Sequence, residues 1–219
     1  MTIKSPLGEE VLYDMDNFLN QYKNTIKNNN MDLIKIKVIE IAGFAPALKA
    51  LRLPYKLECR SIADVNGDCC NGHFITMETV GIHEKDKNLL STLVRRGDEH
   101  AKVLRGVQVW FEIYAPRYWW QEFSTYRIGC DTLASQSTMH SECRAMSEEE
   151  LIEAKANIKE GLMQRRIVML SYQTLRRIWI QRHNHRLPHW RIFCDRIKEL
   201  PFAEDFILTG LQDEDNNLL

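Results

Sequence analysis

The sequence predicts a mixed α/β (α+β) domain, and three observations carry that prediction. Two stretches, Leu33 to Ile41 and Val107 to Ile113, alternate apolar and polar residues with the two-residue period of a strand. Others repeat apolar residues at three- and four-residue spacing, the period of a helix packed by one face. The chain has 219 residues, 44% of them hydrophobic, which is enough to bury one substantial core.

Taken in order, Leu12, Met15, Leu19, Tyr22 and Ile26 mark an amphipathic N-terminal helix that stops at the breaker run Asn28-Asn29-Asn30. Lys35 and Lys37 then alternate with Ile34, Ile36 and Val38 as a half-buried strand, and Gly43 opens a short helix through Leu51 that Pro54 limits. Within 58–80 the pairs Asn66-Gly67 and Asn71-Gly72 favour the left-handed turns of a β-hairpin. Leu89, Leu90, Leu93 and Val94 give a helix that Gly97 ends. Val107, Val109, Phe111 and Ile113 give a strand stopped by Pro116, a residue suited to a helix's first turn. Asp131 to Arg144 reads as a polar loop, and Ser147 with Glu150 as a capping box ahead of Leu151, Ile152 and Ile158. A long helical half follows, its last parts at about 170–186 and 190–200. The domain reading is one unit over 1–219, with a helical extension at 1–30, a hairpin insertion at 58–80 and an acidic tail, mobile at its end, at 203–219.

Lys and Arg number 29 against 30 Asp and Glu, a formal net charge of -1, which excludes a general nucleic-acid coat protein and confines any anion site to a local cluster. No apolar run approaches the roughly 18 residues that span a bilayer, and residues 1–10 are polar, so a cytoplasmic protein without membrane association is expected. Cys59, Cys69, Cys70, Cys130, Cys143 and Cys194 are too sparse and irregular for a secreted disulfide scaffold, and reduced thiols are expected.

Three constellations can carry chemistry. The first runs from Ala115-Pro116 through the aromatic stretch Tyr118-Trp119-Trp120 to Arg127 and on to Ser135, Gln136 and Ser137. Small hydroxyl residues after a helix offer donors to a phosphate or an oxyanion, and Arg127 adds charge. The same residues serve equally as structure, with Trp119, Trp120 and Phe123 in the core, or with Tyr118, Trp119 and Trp120 at a subunit interface. Cys130 is either a nucleophile whose thiolate Arg127 favours or a small buried residue. The second constellation gathers Arg176, Arg177, Arg182, His183, His185, Arg186, His189 and Arg191. Arg182 and Arg186, four apart, can share a helix face and grip phosphate, or the basic face is solvated and paired with the acidic tail. The third, Cys59, Cys69, Cys70 and His73, lacks the paired Cys-x-x-Cys knuckles of a zinc site, and no metal is expected.

From Phe111 to Ser137 the chain resembles the flavin-dependent thymidylate synthases, the ThyX family. That family has a strand ending in Ala-Pro, an aromatic-rich helix, and the signature RHRxxSxxxxSxR beginning as the helix finishes. Here Ala115-Pro116 precedes Thr125-Tyr126-Arg127 by the same interval, and Ser135 falls at the family's second serine without a gap. In this register Thr125 stands at the first arginine, Tyr126 at the histidine, Cys130 at the first serine and Ser137 at the final arginine, while Arg127 and Ser135 match. Gly43 to Leu53, Asp86 to Gly97, and the stretch from Thr174-Leu175 through Arg182 to Trp190 resemble further helices of the family.

The resemblance implies a central, mostly antiparallel sheet flanked by helices, and a homotetramer holding FAD and dUMP at subunit interfaces. It implies reductive methylation of dUMP, or of a related pyrimidine deoxynucleotide, with methylenetetrahydrofolate as carbon donor and NADPH as reductant of the flavin. The alternative is a scaffold that has lost catalysis and binds a nucleotide or a protein partner. By resemblance Tyr126, Arg127, Ile128 and Arg177 would contact the flavin, and Glu122, Ser135, Gln136, Ser137 and Arg182 the nucleotide. Ser135 and Arg182 would be catalytic, with Arg182 near the reactive uracil. A carboxylate beside phosphate needs a proton or a cation, for which Glu122 has Arg117 close in sequence.

Overall fold

The computed structural model describes residues 33–55, 82, 84–141, 143, 144 and 146–211. The expected N-terminal helix, the 58–80 hairpin and the Cys59, Cys69, Cys70 and His73 group lie outside the described residues.

Both strands expected from alternation form. Strand β1 is Lys35–Ala42, β2 is Gln108–Pro116, and they pair antiparallel from Lys35 opposite Tyr114 to Ala42 opposite Gln108. A bulge between Val38 and Glu40 shifts the side-chain parity, so Ile36 and Val38 before it and Ile41 after it face inward while Ile39 is exposed. On β2 the inward residues Val109, Phe111, Ile113 and Ala115 are completely buried. Helix α1 (Phe44–Arg52) follows Gly43, which has φ 97°, and a Cβ there would lie 1.9 Å from the Gly106 carbonyl oxygen. Helix α2 is Glu84–Arg95. It is tied to α1 by the buried ion pair of Asp86 with Arg52.

Helix α3 (Arg117–Phe123) leaves β2 at Pro116, as the Ala115-Pro116 step predicts, and sinks Trp119, Trp120 and Phe123 into the core. Trp119 packs 5.0 Å from both Trp120 and Phe123 and 4.8 Å from Trp190, ring centre to ring centre. Complete burial removes Trp119 and Trp120 from any subunit interface, so that expectation is corrected.

Two strands break the sequence reading. Cys130–Ser135, expected within a polar loop, is strand β3, and Met163–Ser171, expected within a helical half, is strand β4. Both pair antiparallel with their neighbours, and the sheet runs β1-β2-β4-β3, so β4 is a central strand. Helix α4 is Thr138–Ser141 and α5 is Glu148–Ala156, opened by the predicted capping box between Ser147 and Glu150. After β4 come α6 (Tyr172–Arg182), α7 (Pro188–Lys198) and α8 (Ala203–Phe206). The supposed acidic tail enters the core in its first half, with Ala203, Phe206, Ile207 and Leu208 buried, and Arg176 donates from α6 to the carbonyls of Ile207 and Thr209. Residues 212–219 lie outside the described residues. The architecture is an antiparallel four-stranded sheet flanked by helices.

Candidate functional site

Three stretches far apart in sequence meet at the C-terminal end of α6. From α3 comes Glu122, from the turn after it Tyr126, and from the end of α6, the connection that follows and the start of α7 come Arg182, His185 and Trp190. Arg182 donates from Nη1 to Glu122 Oε2 at 2.9 Å and from Nε to the Tyr126 hydroxyl at 2.8 Å. Its guanidinium lies 4.6 Å from the centre of the Trp190 ring, and Trp190 donates from Nε1 to the same Glu122 oxygen at 2.8 Å. The carboxylate thus accepts two donors on Oε2, and these contacts lock the guanidinium plane. The cation beside Glu122 is therefore Arg182, and the expected partner Arg117 turns instead to Glu160, 3.7 Å away.

The Tyr126 hydroxyl in turn donates a hydrogen bond to Gln181 Oε1 at 2.9 Å. Burial raises this phenol above its ordinary pKa, against the opposing pull of Arg182, so Tyr126 is a neutral donor and acceptor at physiological pH. His185 has Arg182 Nη1 2.8 Å from Nε2 and the Leu187 N–H 3.1 Å from Nδ1. A neutral ring accepts at one nitrogen only, so these two donors compete for it. His189, buried on α7, meets the Tyr118 hydroxyl at 3.0 Å through Nε2, while its Nδ1 has no hydrogen-bond partner.

The chain between Tyr126 and β3 is clamped onto the start of α6. Ser171 donates its N–H to the Gly129 carbonyl at 2.9 Å, and Thr174 donates its hydroxyl to the Ile128 carbonyl at 2.8 Å. Gly129 has φ 69°, and a Cβ there would stand 2.6 Å from Thr174 Oγ1 and 2.7 Å from Ser171 Oγ. Only glycine fits this turn without displacing the helix cap.

The remaining expected residues are placed apart from this cluster. Arg127 and Ile128 are exposed, and Ile128 is 74% accessible, high for a large aliphatic side chain. Arg177 is engaged by Asp98 through Nε. Ser135 lies at the end of β3 opposite Arg166, followed by Gln136, whose N–H donates to the Arg165 carbonyl at 2.8 Å, and by half-buried Ser137. Arg186 falls beyond the end of α6, so it shares no helix face with Arg182 as the four-residue spacing suggested. The Cys130 thiol is pushed up to about 12 by burial and then by the Asp131 carboxylate, which corrects its reading as a thiolate nucleophile. A cleft of about 620 Å³ between α2 and the C-terminal segment, lined in part by Arg95, Asp205 and Thr209, contains none of these residues. Trp190, Tyr118 and His189 are all marked in the sequence, but the hydrogen bonds of Trp190 to Glu122 and of Tyr118 to His189 are not, because they join residues 68 and 71 positions apart.

The solved structures similar to this chain include the flavin-dependent thymidylate synthase ThyX of Helicobacter pylori in complex with FAD and dUMP, with a TM-score of 0.54 and 14% identity over 79% of this chain and 97% of that one. A second structure of ThyX from that organism with FAD and dUMP gives a TM-score of 0.55 and 15% identity over 80% and 97%. No protein-family model matches the chain, and no curated protein matches it in sequence. At this identity the likeness establishes a ThyX-like fold. Among the described residues no helix is long and apolar enough to cross a membrane.

Proposed function

We propose that the protein binds a pyrimidine deoxynucleotide beside the Glu122–Arg182 pair and methylates it reductively, with dUMP as the first candidate, methylenetetrahydrofolate as carbon donor and NADPH-reduced FAD as reductant. The observation that carries this reading is the convergence of Arg182, Tyr126 and Glu122 on a fold shared with enzymes solved with FAD and dUMP. Within it, Arg182 offers a charged donor, Glu122 an acceptor and Tyr126 a neutral hydroxyl, the set needed to orient a ring that carries both N–H and C=O groups. Ser135, Gln136 and Ser137 supply further polar groups at the end of β3 for the same ligand. Ser135 and Arg182 take the catalytic roles in this reading.

FAD, when bound, supplies the two-electron reduction. Exposed Ile128 beside exposed Arg127 fits an aromatic group attached to phosphates, and the Arg182 guanidinium lies 5.7 Å from the centre of the neighbouring Tyr126 ring. Arg177 fits less well, since Asp98 already holds its Nε. The same reading assigns a cytoplasmic homotetramer built from one domain per chain.

A specific observation favours a second reading, a scaffold that binds a nucleotide or a protein partner without turnover. Glu122 neutralises Arg182, so the cation has less to offer an anionic transition state. Purified protein is expected to show flavin absorbance and to release tritium from 5-tritiated dUMP in the presence of methylenetetrahydrofolate and NADPH. A colourless protein that takes up no added FAD and releases no tritium removes the enzymatic reading. Calorimetric binding of dUMP, dCMP or dTMP in that case supports the second, and binding of none removes both nucleotide readings.

A further inference from the structure

The cleft of about 620 Å³ between α2 and the C-terminal segment gathers charges of both signs that meet no partner. One wall is a polar stripe of α2, Asn88, Ser91 and Arg95, spaced by three and four residues so that all three lie on one helix face. The other wall carries Glu204 and Asp205, then buried Leu208 and Thr209, then Gly210. Two hydrogen bonds join the walls about one helical turn apart. Ser91 donates its hydroxyl to the Asp205 carbonyl at 3.1 Å, and Arg95 donates from Nε to Thr209 Oγ1 at 3.0 Å.

Gly210 has φ 76°, and a Cβ there would stand 3.0 Å from Arg95 Cγ. Glycine thus lets the arginine stem lie across the segment, where Thr209 fixes Nε and leaves both terminal nitrogens without an acceptor among the described residues. Among those residues, too, no cation pairs with Glu204 or Asp205. Lys87 sits on Glu84 at 3.0 Å, and its pKa is raised first by that hydrogen bond and only then by the Asp205 charge. Ser91, which holds Asp205, and Arg95 are four residues apart, about 6 Å along the axis of α2. The cleft therefore has an acidic end and a basic end, held apart by the hydrogen bonds that build it.

We propose that this cleft binds a short peptide with free termini, its carboxylate on Arg95 and its ammonium between Glu204 and Asp205. The terminal nitrogens of a guanidinium match the two coplanar oxygens of a carboxylate, and an ammonium has three donors to share between two carboxylates. Two residues of extended chain span about 7 Å, comparable to the separation of the two ends, and the peptide group between them can meet the Asn88 amide as donor and as acceptor. An inorganic anion would use the basic end alone, and a polyamine the acidic end alone. Because the walls are already joined, binding orders little of the protein. None of these residues belongs to the Glu122–Arg182 cluster, and peptide binding here requires neither flavin nor nucleotide.

The test is calorimetric titration of the full chain with glycylglycine at low ionic strength. N-acetylglycylglycine and glycylglycinamide each remove one terminal charge, and each is expected to bind about tenfold more weakly or worse. Arg95→Gln is expected to weaken glycylglycine binding about tenfold or more, and Asp205→Asn about fivefold, because Glu204 keeps one carboxylate at that end. Gly210→Ala changes no charge but displaces the Arg95 stem, and should weaken binding as well. Arg96→Gln is the control. Arg96 is exposed, one residue on and about 100° around from Arg95, and its loss is expected to change binding by less than about twofold. If Arg95→Gln fails to fold by circular dichroism, Asp205→Asn gives the same reading from the acidic end. The site is rejected if the chain binds no glycylglycine at tens of millimolar (roughly the weakest affinity of interest), or if folded Arg95→Gln binds it as tightly as the parent. Either blocked peptide binding as tightly as glycylglycine rejects the ligand class.

Discussion

The molecule contains the same arginine–tryptophan stack twice, and the two copies differ in what completes them. Arg182 lies 4.6 Å from the ring centre of Trp190, and Arg166 lies 4.6 Å from that of Trp120. Arg182 is finished by a carboxylate, Glu122, and Arg166 by an amide, Gln164. In the first case the stack becomes part of an ion pair whose members depend on each other. In the second the side chain is oriented just as firmly, but its charge stays available. The difference teaches that rigidity and neutralisation are separable, and that the residue beside an arginine, more than the ring beneath it, decides what the arginine can bind.

The largest expected break of this comparison removes the rings. Trp190 and Trp120 are both completely buried, and either change to alanine should cost about 3–5 kcal/mol by urea denaturation. Trp190→Ala also removes a hydrogen bond to the Glu122 carboxylate, while Trp120→Ala frees the Gln164 carbonyl, an uncharged acceptor. The Trp190 loss should therefore be the greater by about 1 kcal/mol. Equal losses would mean that the carboxylate gains nothing from the indole N–H.

A smaller effect separates the companions themselves. Arg182→Gln leaves a half-exposed carboxylate without its cation and should cost about 1–2 kcal/mol, whereas Arg166→Gln leaves only an amide behind and should cost less than about 1 kcal/mol. A double-mutant cycle on Glu122 and Arg182 should accordingly show a larger coupling energy than one on Gln164 and Arg166. Similar couplings would show that both stacks are held by their rings alone.

The sequence disclosed these two stacks unequally, for physical reasons. Strands β1 and β2 were legible because each buries one face, so apolar and polar residues alternate, and the capping box at Ser147 was legible because its chemistry is local. Strand β4 was not, because it lies inside the sheet and its run Ile167-Val168-Met169-Leu170 is apolar on both faces, a pattern that a buried helix shares. Strand β3 was hidden for the opposite reason. It is an edge strand whose residues are almost all exposed, Leu133 included, so no buried face imposes an alternation and the segment resembles a loop. Arg166 therefore went unseen with the strand that carries it, and its register with Ser135 could not be inferred. Arg182 and Glu122 were both marked by the family spacing, yet their pairing joins residues 60 positions apart and depends on the packing of α3 against α6 and α7. Residues 203–211 misled by composition, since Glu204 and Asp205 sit among Ala203, Phe206 and Ile207, which are buried.

The smallest expected effect tests how far the Glu122 charge reaches. His189 is buried against Tyr118, and burial holds its pKa below the ordinary histidine value of 6.5, while the Glu122 charge raises it in opposition. A folded-state pKa below the unfolded one means that the unfolded chain takes up the proton first as pH falls. The stability tied to His189 is therefore complete above about pH 6.5 and is lost as pH drops from there toward the folded pKa. Thermal melts of the parent and of His189→Asn should draw together over that window, the parent losing more on acidification. In Glu122→Gln the opposing charge is gone, so the His189 ring signal in a proton NMR titration should shift at lower pH than in the parent. An Arg166→Gln variant should leave that titration unchanged, because Arg166 is no neighbour of His189 and only the carboxylate side of α3 reaches it. A His189 titration at or above the ordinary value, or one indifferent to Glu122, would show that the carboxylate is fully spent on Arg182 and Trp190 and that the two sides of the helix differ less than their geometry indicates.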